Sequence, residues 1–136
     1  MKIWIYTNVL IDFIAERDEF VDDAQFVFSL CDGMVDGYIS VLSFANMAYI
    51  FRKIANSDTL GFMKRELDSV FHVTDFLDED INTAIGLNYT DFEDALQTAG
   101  AIRMGVDCIV TRDKTDFKNS PIPVVSPKDL VNMVIS

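Results

Sequence analysis

The stretch from Thr90 to Phe117, TDFEDALQTAGAIRMGVDCIVTRDKTDF, joins an amphipathic helix to a buried strand and then to an acidic turn. Thr90, with Glu93 three residues later, predicts a capping box at the start of the helix. Apolar residues then recur at helical spacing, at Phe92, Ala95, Leu96, Ala99 and Ile102. Gly105 is a natural stop, so the stretch opens with one well-defined helix.

A short strand from Asp107 to Val110 follows this helix. Its apolar residues are consecutive, which is typical of a strand covered by helices on both faces. In open α/β sheets the binding crevice lies beyond the carboxyl ends of the strands, so we expect Asp113 and Asp116 on its rim. The acidic helix start, with Asp91 and Asp94, is expected to face them.

The rest of the chain repeats this alternation of strands and helices. Further strands are predicted at Lys2–Tyr6, Asp36–Val41, Val70–Val73 and Pro123–Val125, with about seven helical segments along the chain. Strands separated by helices predict an α/β fold, a three-layer α/β/α sandwich with a central, mainly parallel sheet of about five short strands. No repeat and no Gly-, Ser- or Pro-rich linker interrupts it, so we expect a single domain over residues 1–136.

Composition narrows the classes of function. Eleven Lys and Arg against 22 Asp and Glu give a net charge of -11, which argues against a nonspecific nucleic-acid coat and allows a basic partner or an acidic metal pocket. Two isolated cysteines, Cys31 and Cys108, favour a reducing compartment over a disulfide framework. Neither a signal peptide nor an apolar run long enough to cross a bilayer is apparent, so we expect a soluble cytoplasmic protein.

Four motifs occur in order along the chain, and together they carry a family resemblance. They are YTNVLID at Tyr6–Asp12, SFAN at Ser43–Asn46, DFEDAL at Asp91–Leu96 and TRDKTDF at Thr111–Phe117. In this combination the chain resembles the PIN domain family over nearly its whole length. Many members of that family are Mg²⁺-dependent ribonucleases, including the toxins of VapC-type toxin–antitoxin pairs.

The resemblance implies roles for particular residues. Asp94, Asp113 and Asp116 match family acids that are catalytic and hold Mg²⁺ or Mn²⁺. Other matched positions are expected to contact substrate or to support these acids, namely Thr7, Asn8, Asp12, Asn46, Thr111 and Arg112. The resemblance also implies single-stranded RNA as substrate, a small antitoxin-like protein as partner, and a homodimer.

Two positions depart from the family pattern. Tyr6 stands where the family has an aspartate that ends the first strand, and Asn46 stands where it has a glutamate on the central helix. The carboxylates of such nucleases hold metal ions that activate water and stabilise charge on the scissile phosphate. A neutral phenol with a pKa near ~10 is a poor replacement for an anionic ligand. We therefore expect weakened metal affinity and impaired catalysis, although Asn46 can still offer a carbonyl oxygen.

Three functional hypotheses follow. The first is an altered Mg²⁺-dependent endoribonuclease, and the second is a PIN-like module that binds RNA or protein without cleaving. The third is a small-molecule or phosphoacceptor α/β domain, which the missing acid after the first strand and the TRDKTDF turn oppose.

Each site residue also has a purely structural interpretation. Asp91 and Asp94 would stabilise a helix start by ~0.3–1 kcal/mol whether or not they bind metal. Arg112 could belong to a surface ion pair, and Asp12 to a helix face. His72, in a predicted strand with no nucleophile nearby in sequence, is assigned no catalytic role.

Overall fold

The computed structural model describes residues 1–135 and contains a parallel sheet. Its strands are β1 (Lys2–Ile5), β2 (Asp36–Ser40), β3 (His72–Thr74), β4 (Cys108–Val110) and β5 (Val124–Val125). The order across the sheet is β3-β2-β1-β4-β5, and every pairing is parallel. The chain therefore moves outward from β1 to β3 and then resumes on the other side of β1 at β4. The boundary between β1 and β4 is the switch point of the sheet, where α/β proteins bind ligands.

Helices cover both faces of the sheet. Within the described residues they are α1 (Thr7–Ile14), α2 (Val21–Cys31), α3 (Val41–Ile50), α4 (Ser57–Val70), α5 (Asp78–Gly86), α6 (Phe92–Met104) and α7 (Pro127–Ile135), with a 3-10 turn at Lys114–Phe117. The predicted α/β/α sandwich with five short strands is confirmed. No helix in residues 1–135 has the length and hydropathy needed to cross a membrane.

Alternation along the strands builds two cores, one on each face. Ile3 and Ile5 point to one face, and residues of α1, α2, α3, α4 and α7 pack there. Trp4 lies between them in sequence and points to the opposite face, where it packs with Ala101 of α6 and with Phe117. This two-residue period is the expected pattern for strands buried on both sides.

Gly100 lets α6 approach the sheet closely. A Cβ atom at this position would lie 2.7 Å from the ring of Phe76 and 2.8 Å from the indole of Trp4. The helix ends as predicted at Gly105, whose φ of 67° is the left-handed conformation that favours glycine. α6 is thus fixed against β1.

The start of α6 differs from the sequence prediction. Asp91, and not Thr90, is the N-cap, and its carboxylate accepts hydrogen bonds from the amides of Glu93 (2.8 Å) and Asp94 (3.2 Å). The predicted capping box between Thr90 and Glu93 is therefore wrong. A carboxylate at the cap satisfies two free amides and also suits the positive end of the helix dipole.

Several other boundaries are shifted as well, and β2, for example, ends at Ser40 and not at Val41. β1 ends at Ile5, so Tyr6 is the N-cap residue of α1 and not the last strand residue. α4 continues to Val70, and β3 therefore begins only at His72.

Candidate active site at the β1–β4 edge

The carboxyl ends of β1 and β4 bring two of the four motifs together. Ile5 pairs with Val110, and the amide of Tyr6 donates to the carbonyl of Val110 at 3.0 Å. The segments that follow, Tyr6–Asn8 and Thr111–Asp113, therefore leave the sheet side by side, and together they form the β1–β4 edge. The convergence expected from the sequence is present at the switch point.

Tyr6 reaches from this edge to the start of α6. Its phenol donates a hydrogen bond to Oδ1 of Asp94 at 2.5 Å, and its ring meets the ring of Phe117 edge-to-face at 5.1 Å. Burial raises the pKa of the phenol far above its ordinary value, and the hydrogen bond to Asp94 and the negative charge of Asp94 and Glu93 raise it further. Tyr6 therefore remains a neutral donor and is no anionic ligand.

Asp94 is only 7% exposed. Burial raises the pKa of its carboxyl to about 6, the Tyr6 hydrogen bond opposes that rise, and the charges of Asp91, Asp116 and Glu93 add to it. The carboxylate borders a pocket of about 450 Å³ that it shares with Asp116, Asp91 and Tyr89 among others. A carboxyl group with this pKa can take up or release a proton near neutral pH.

Asn46 also points at the first turn of α6. Its amide nitrogen donates to Oε1 of Glu93. Sequence analysis placed Glu93 only in a capping box and missed this contact, because nothing in the spacing links residues 47 positions apart. Both positions that depart from the family pattern thus donate hydrogen bonds to neighbouring acids of α6.

Asn8 joins the first turn to the turn after β4. Its Nδ2 donates to Oγ1 of Thr111 at 3.1 Å and to Oδ2 of Asp113 at 3.3 Å. Its Oδ1 accepts from the amide of Arg112 at 3.4 Å. Thr111 also accepts from the amide of Asp113 at 3.1 Å. Asn8 and Thr111 therefore hold Asp113 in place, as support residues would.

Asp12 and Arg112 form an ion pair behind the edge. The guanidinium donates to both oxygens of Asp12, at 2.5 Å and 3.2 Å, and lies 4.1 Å from the centre of the Phe20 ring. Asp12 is 1% exposed and also lies 3.8 Å from the Nε of Arg17. The pair is largely buried, and so it differs from the surface ion pair of the structural interpretation.

Thr7 belongs to a buried polar network that sequence analysis did not find. Its Oγ1 lies 2.7 Å from Oγ of Ser43, which accepts from Nε2 of Gln97 at 3.2 Å. Gln97 Oε1 accepts from Trp4 Nε1 at 2.9 Å and from Ser40 Oγ at 3.2 Å. One sequence signal could have indicated this network: Gln97 is a lone amide side chain on α6, one turn after Asp94, in a stretch of otherwise small and apolar residues.

The donor set can be compared with what a divalent cation requires. Asp94 and Asp116 border one pocket, whereas Asp113 lies beside Asn8. Within residues 1–135, no group of three or more His, Cys, Asp or Glu side chains is arranged to hold a metal ion. One oxygen of Asp94 and one of Asp113 already accept hydrogen bonds. As these side chains stand, the arrangement does not fit a multi-carboxylate site.

Several solved structures share this fold. VapBC2 from Rickettsia felis, bound to a DNA fragment from its promoter, has 18% identity and a TM-score of 0.72, covering 93% of this chain and 98% of that one. A toxin–antitoxin complex from Klebsiella pneumoniae has 21% identity and a TM-score of 0.70, covering 91% and 96%. FitAcB from Neisseria gonorrhoeae has 17% identity and a TM-score of 0.70, covering 93% and 98%.

The sequence was also compared with family models and with curated proteins. No curated protein matches it. A family model described as PIN domain matches residues 2–115, a span that includes β1, α6 and the first part of the turn after β4 and ends one residue before Asp116. The predicted resemblance is confirmed, and the chain belongs to the PIN domain family.

Proposed function

We propose that this protein is a PIN domain of the toxin type in which Mg²⁺-dependent cleavage of single-stranded RNA is impaired by Tyr6 and Asn46. The observation that carries the proposal is the 2.5 Å hydrogen bond from the Tyr6 phenol to Asp94. A carboxylate that binds a metal ion must offer free lone pairs. Asp94 instead accepts a hydrogen bond from Tyr6, which stands where the family has a second carboxylate. Asn46 engages Glu93 in the same way.

The remaining acids define where a cation would be expected. Any Mg²⁺ or Mn²⁺ that binds should contact Asp94 and either Asp113 or Asp116, and it should not contact Tyr6. When bound, such an ion would supply charge stabilisation for a phosphate. With two carboxylates fewer than the family pattern, we expect that binding to be weak.

The proposed partner is a small antitoxin-like protein. The similar structure from Klebsiella pneumoniae is described as a toxin–antitoxin complex, and VapBC2 from Rickettsia felis is bound to a DNA fragment from its promoter. The net charge of -11 favours a basic partner over the phosphate backbone of RNA. We also propose a homodimer, supported by three exposed apolar residues spaced four apart, Leu77 at the N-cap of α5 and Ile81 and Ile85 within it.

The alternative is a PIN domain that only binds RNA or protein. It is favoured by the same observation, since both altered positions now donate hydrogen bonds instead of offering anionic ligands. The two candidates differ in one respect: an impaired nuclease can be repaired by restoring its carboxylates, whereas a module adapted to binding cannot.

Repair is therefore the test. Tyr6→Asp combined with Asn46→Glu should produce Mg²⁺-dependent cleavage of an unstructured RNA pool, which the wild type and either single variant should show only weakly. The physical reason is that two restored carboxylates supply the charge that paired metal ions need. Cleavage is measured with Mg²⁺ and with EDTA.

A matched control carries the same added charge elsewhere. Asn82→Glu with Asn132→Asp places two carboxylates at exposed positions on α5 and α7 and should leave cleavage unchanged. A repaired variant as inert as this control would mean that the edge is not a nuclease site. Efficient Mg²⁺-dependent cleavage by the wild type would refute the impairment.

A further inference from the structure

Tyr6 and Asn46 have a role beyond the loss of two acids. We propose that their O–H and N–H donors take the structural place of a cation: they hold Asp94 and Glu93 of α6 by direct hydrogen bonds, so that this edge folds without any divalent ion. The inference rests on the proposed function only in treating the edge as the altered nuclease site.

The first step is the placement of the two donors. Tyr6 lies at the N-cap of α1, directly after β1, and Asn46 lies within α3. Each reaches across to a different acid in the first turn of α6. The two bonds therefore join α6 to the sheet and to α3 at the end of the helix that carries the acids.

The second step is the charge that must be offset. Asp94 and Glu93 are adjacent, the Asp91 carboxylate caps the same helix, and Asp116 shares the pocket with Asp94. Like charges this close repel one another, and the repulsion grows as water is excluded. Nuclease sites of this kind offset it with metal ions. Here two neutral donors are directed at two of the acids.

The third step is that the Tyr6 donor is held in place. Its ring packs edge-to-face against Phe117, at a centroid distance of 5.1 Å and an interplanar angle of 75°. A packed ring loses little further freedom when its hydroxyl group bonds, and hydrogen bonds to charged acceptors are stronger than neutral ones. The bond to Asp94 therefore contributes directly to stability.

Tyr89 provides a matched control. Its ring also packs edge-to-face on Phe117, at 6.1 Å and 85°, but its hydroxyl lies 3.1 Å from Thr98 Oγ1 and makes no hydrogen bond to a carboxylate within residues 1–135. Removing either hydroxyl leaves an aromatic ring on the same phenylalanine. The difference between Tyr6→Phe and Tyr89→Phe thus isolates the contact with the acid.

The experiment is thermal melting without RNA, in EDTA and in Mg²⁺, at about pH 8 so that Asp94, with a pKa of about 6, is ionised. In EDTA, Tyr6→Phe should lower the Tm by about 5 °C or more, and Tyr89→Phe by less than half as much. The wild-type Tm should differ little between the two buffers, because its Mg²⁺ binding is expected to be weak. Tyr6→Phe with Asn46→Leu, which frees both acids, should melt higher in Mg²⁺ than in EDTA.

Two results would overturn the inference. One is a wild-type Tm that rises in Mg²⁺ as much as that of Tyr6→Phe with Asn46→Leu, and the other is a loss in Tyr6→Phe no larger than that in Tyr89→Phe. If Tyr6→Phe does not fold, the wild-type comparison and the single variant Asn46→Leu, which should also melt lower in EDTA, decide the matter. Because no RNA is present, failure here leaves the cleavage prediction standing, and failure of RNA repair leaves this one standing.

Discussion

At the scale of single residues, the pair formed by Tyr6 and Asp94 governs the chemistry of the edge. The phenol keeps its proton because burial and neighbouring carboxylates raise its pKa. Asp94 keeps a pKa of about 6 because its own burial outweighs the stabilising hydrogen bond. The pair is therefore a neutral donor beside an acid that titrates close to physiological pH.

This titration makes stability depend on pH in a defined direction. The folded pKa of Asp94 is about 6, above its ordinary value of ~3.9, so the folded state binds more protons between those values. The contribution of Asp94 to the free energy of unfolding therefore falls as the pH rises from about 4 to about 6. Urea unfolding across that window should show a steeper loss for the wild type than for Asp94→Asn.

Asp129 supplies a control of opposite sign. A hydrogen bond from Lys114, with further bonds from Ser126, lowers the pKa of its carboxyl, so its contribution is present above the unfolded pKa and is lost as the pH falls. Asp129→Asn should reduce the loss of stability on the acid side. Equal pH slopes for the wild type and Asp94→Asn would contradict the assignment to Asp94.

Candidate site residues could be predicted from the sequence where they belong to a short motif. Asp94, Asp113 and Asn8 were located from short motifs, and each lies at or beside the edge. The partner of Tyr6 was not predictable, because Asp94 lies 88 positions away and no periodicity relates them. A pairwise contact between distant motifs depends on how the strands are ordered.

At the scale of elements, α6 is the helix that presents the acids, and its distance from β1 is set by Gly100. A Cβ atom there would overlap the rings of Phe76 and Trp4. Gly100→Ala should therefore lower the free energy of unfolding by about 1–3 kcal/mol, as overpacked cores do. Chemical denaturation of the wild type and of Gly100→Ala measures this difference in the free energy of unfolding.

Gly86→Ala is the matched helical control. Its Cβ atom would meet nothing within 4 Å, so the change should be neutral or stabilising by up to about 1 kcal/mol. If Gly100→Ala were as well tolerated as Gly86→Ala, the close packing of α6 on Trp4 would not be what positions the acids.

The position of α6 in the sequence was predictable from its apolar spacing, but its cap was not. Thr90 with Glu93 and Asp91 with Asp94 both satisfy an N-cap pattern, one residue apart. The structure selects Asp91, which leaves Glu93 free to accept from Asn46. A one-residue offset depends on these tertiary contacts and not on helix propensity.

At the scale of the whole molecule, the strand order explains why four separated motifs meet. β4 lies beside β1 although two strands and six helices separate them in the chain. Alternating strands and helices predicted a parallel sandwich and a crevice at strand ends. The order β3-β2-β1-β4-β5 was not contained in that pattern, because hydrophobic periodicity is the same for any arrangement of buried strands.

We propose that this PIN domain has exchanged two metal-supporting acids for neutral donors. Titration calorimetry with Mn²⁺ tests it most directly, comparing the wild type with Tyr6→Asp/Asn46→Glu and with the equally charged Asn82→Glu/Asn132→Asp. The repaired variant should bind at least about ten-fold more tightly than the other two, which should bind alike. Binding by the wild type as tight as that of the repaired variant would contradict the account.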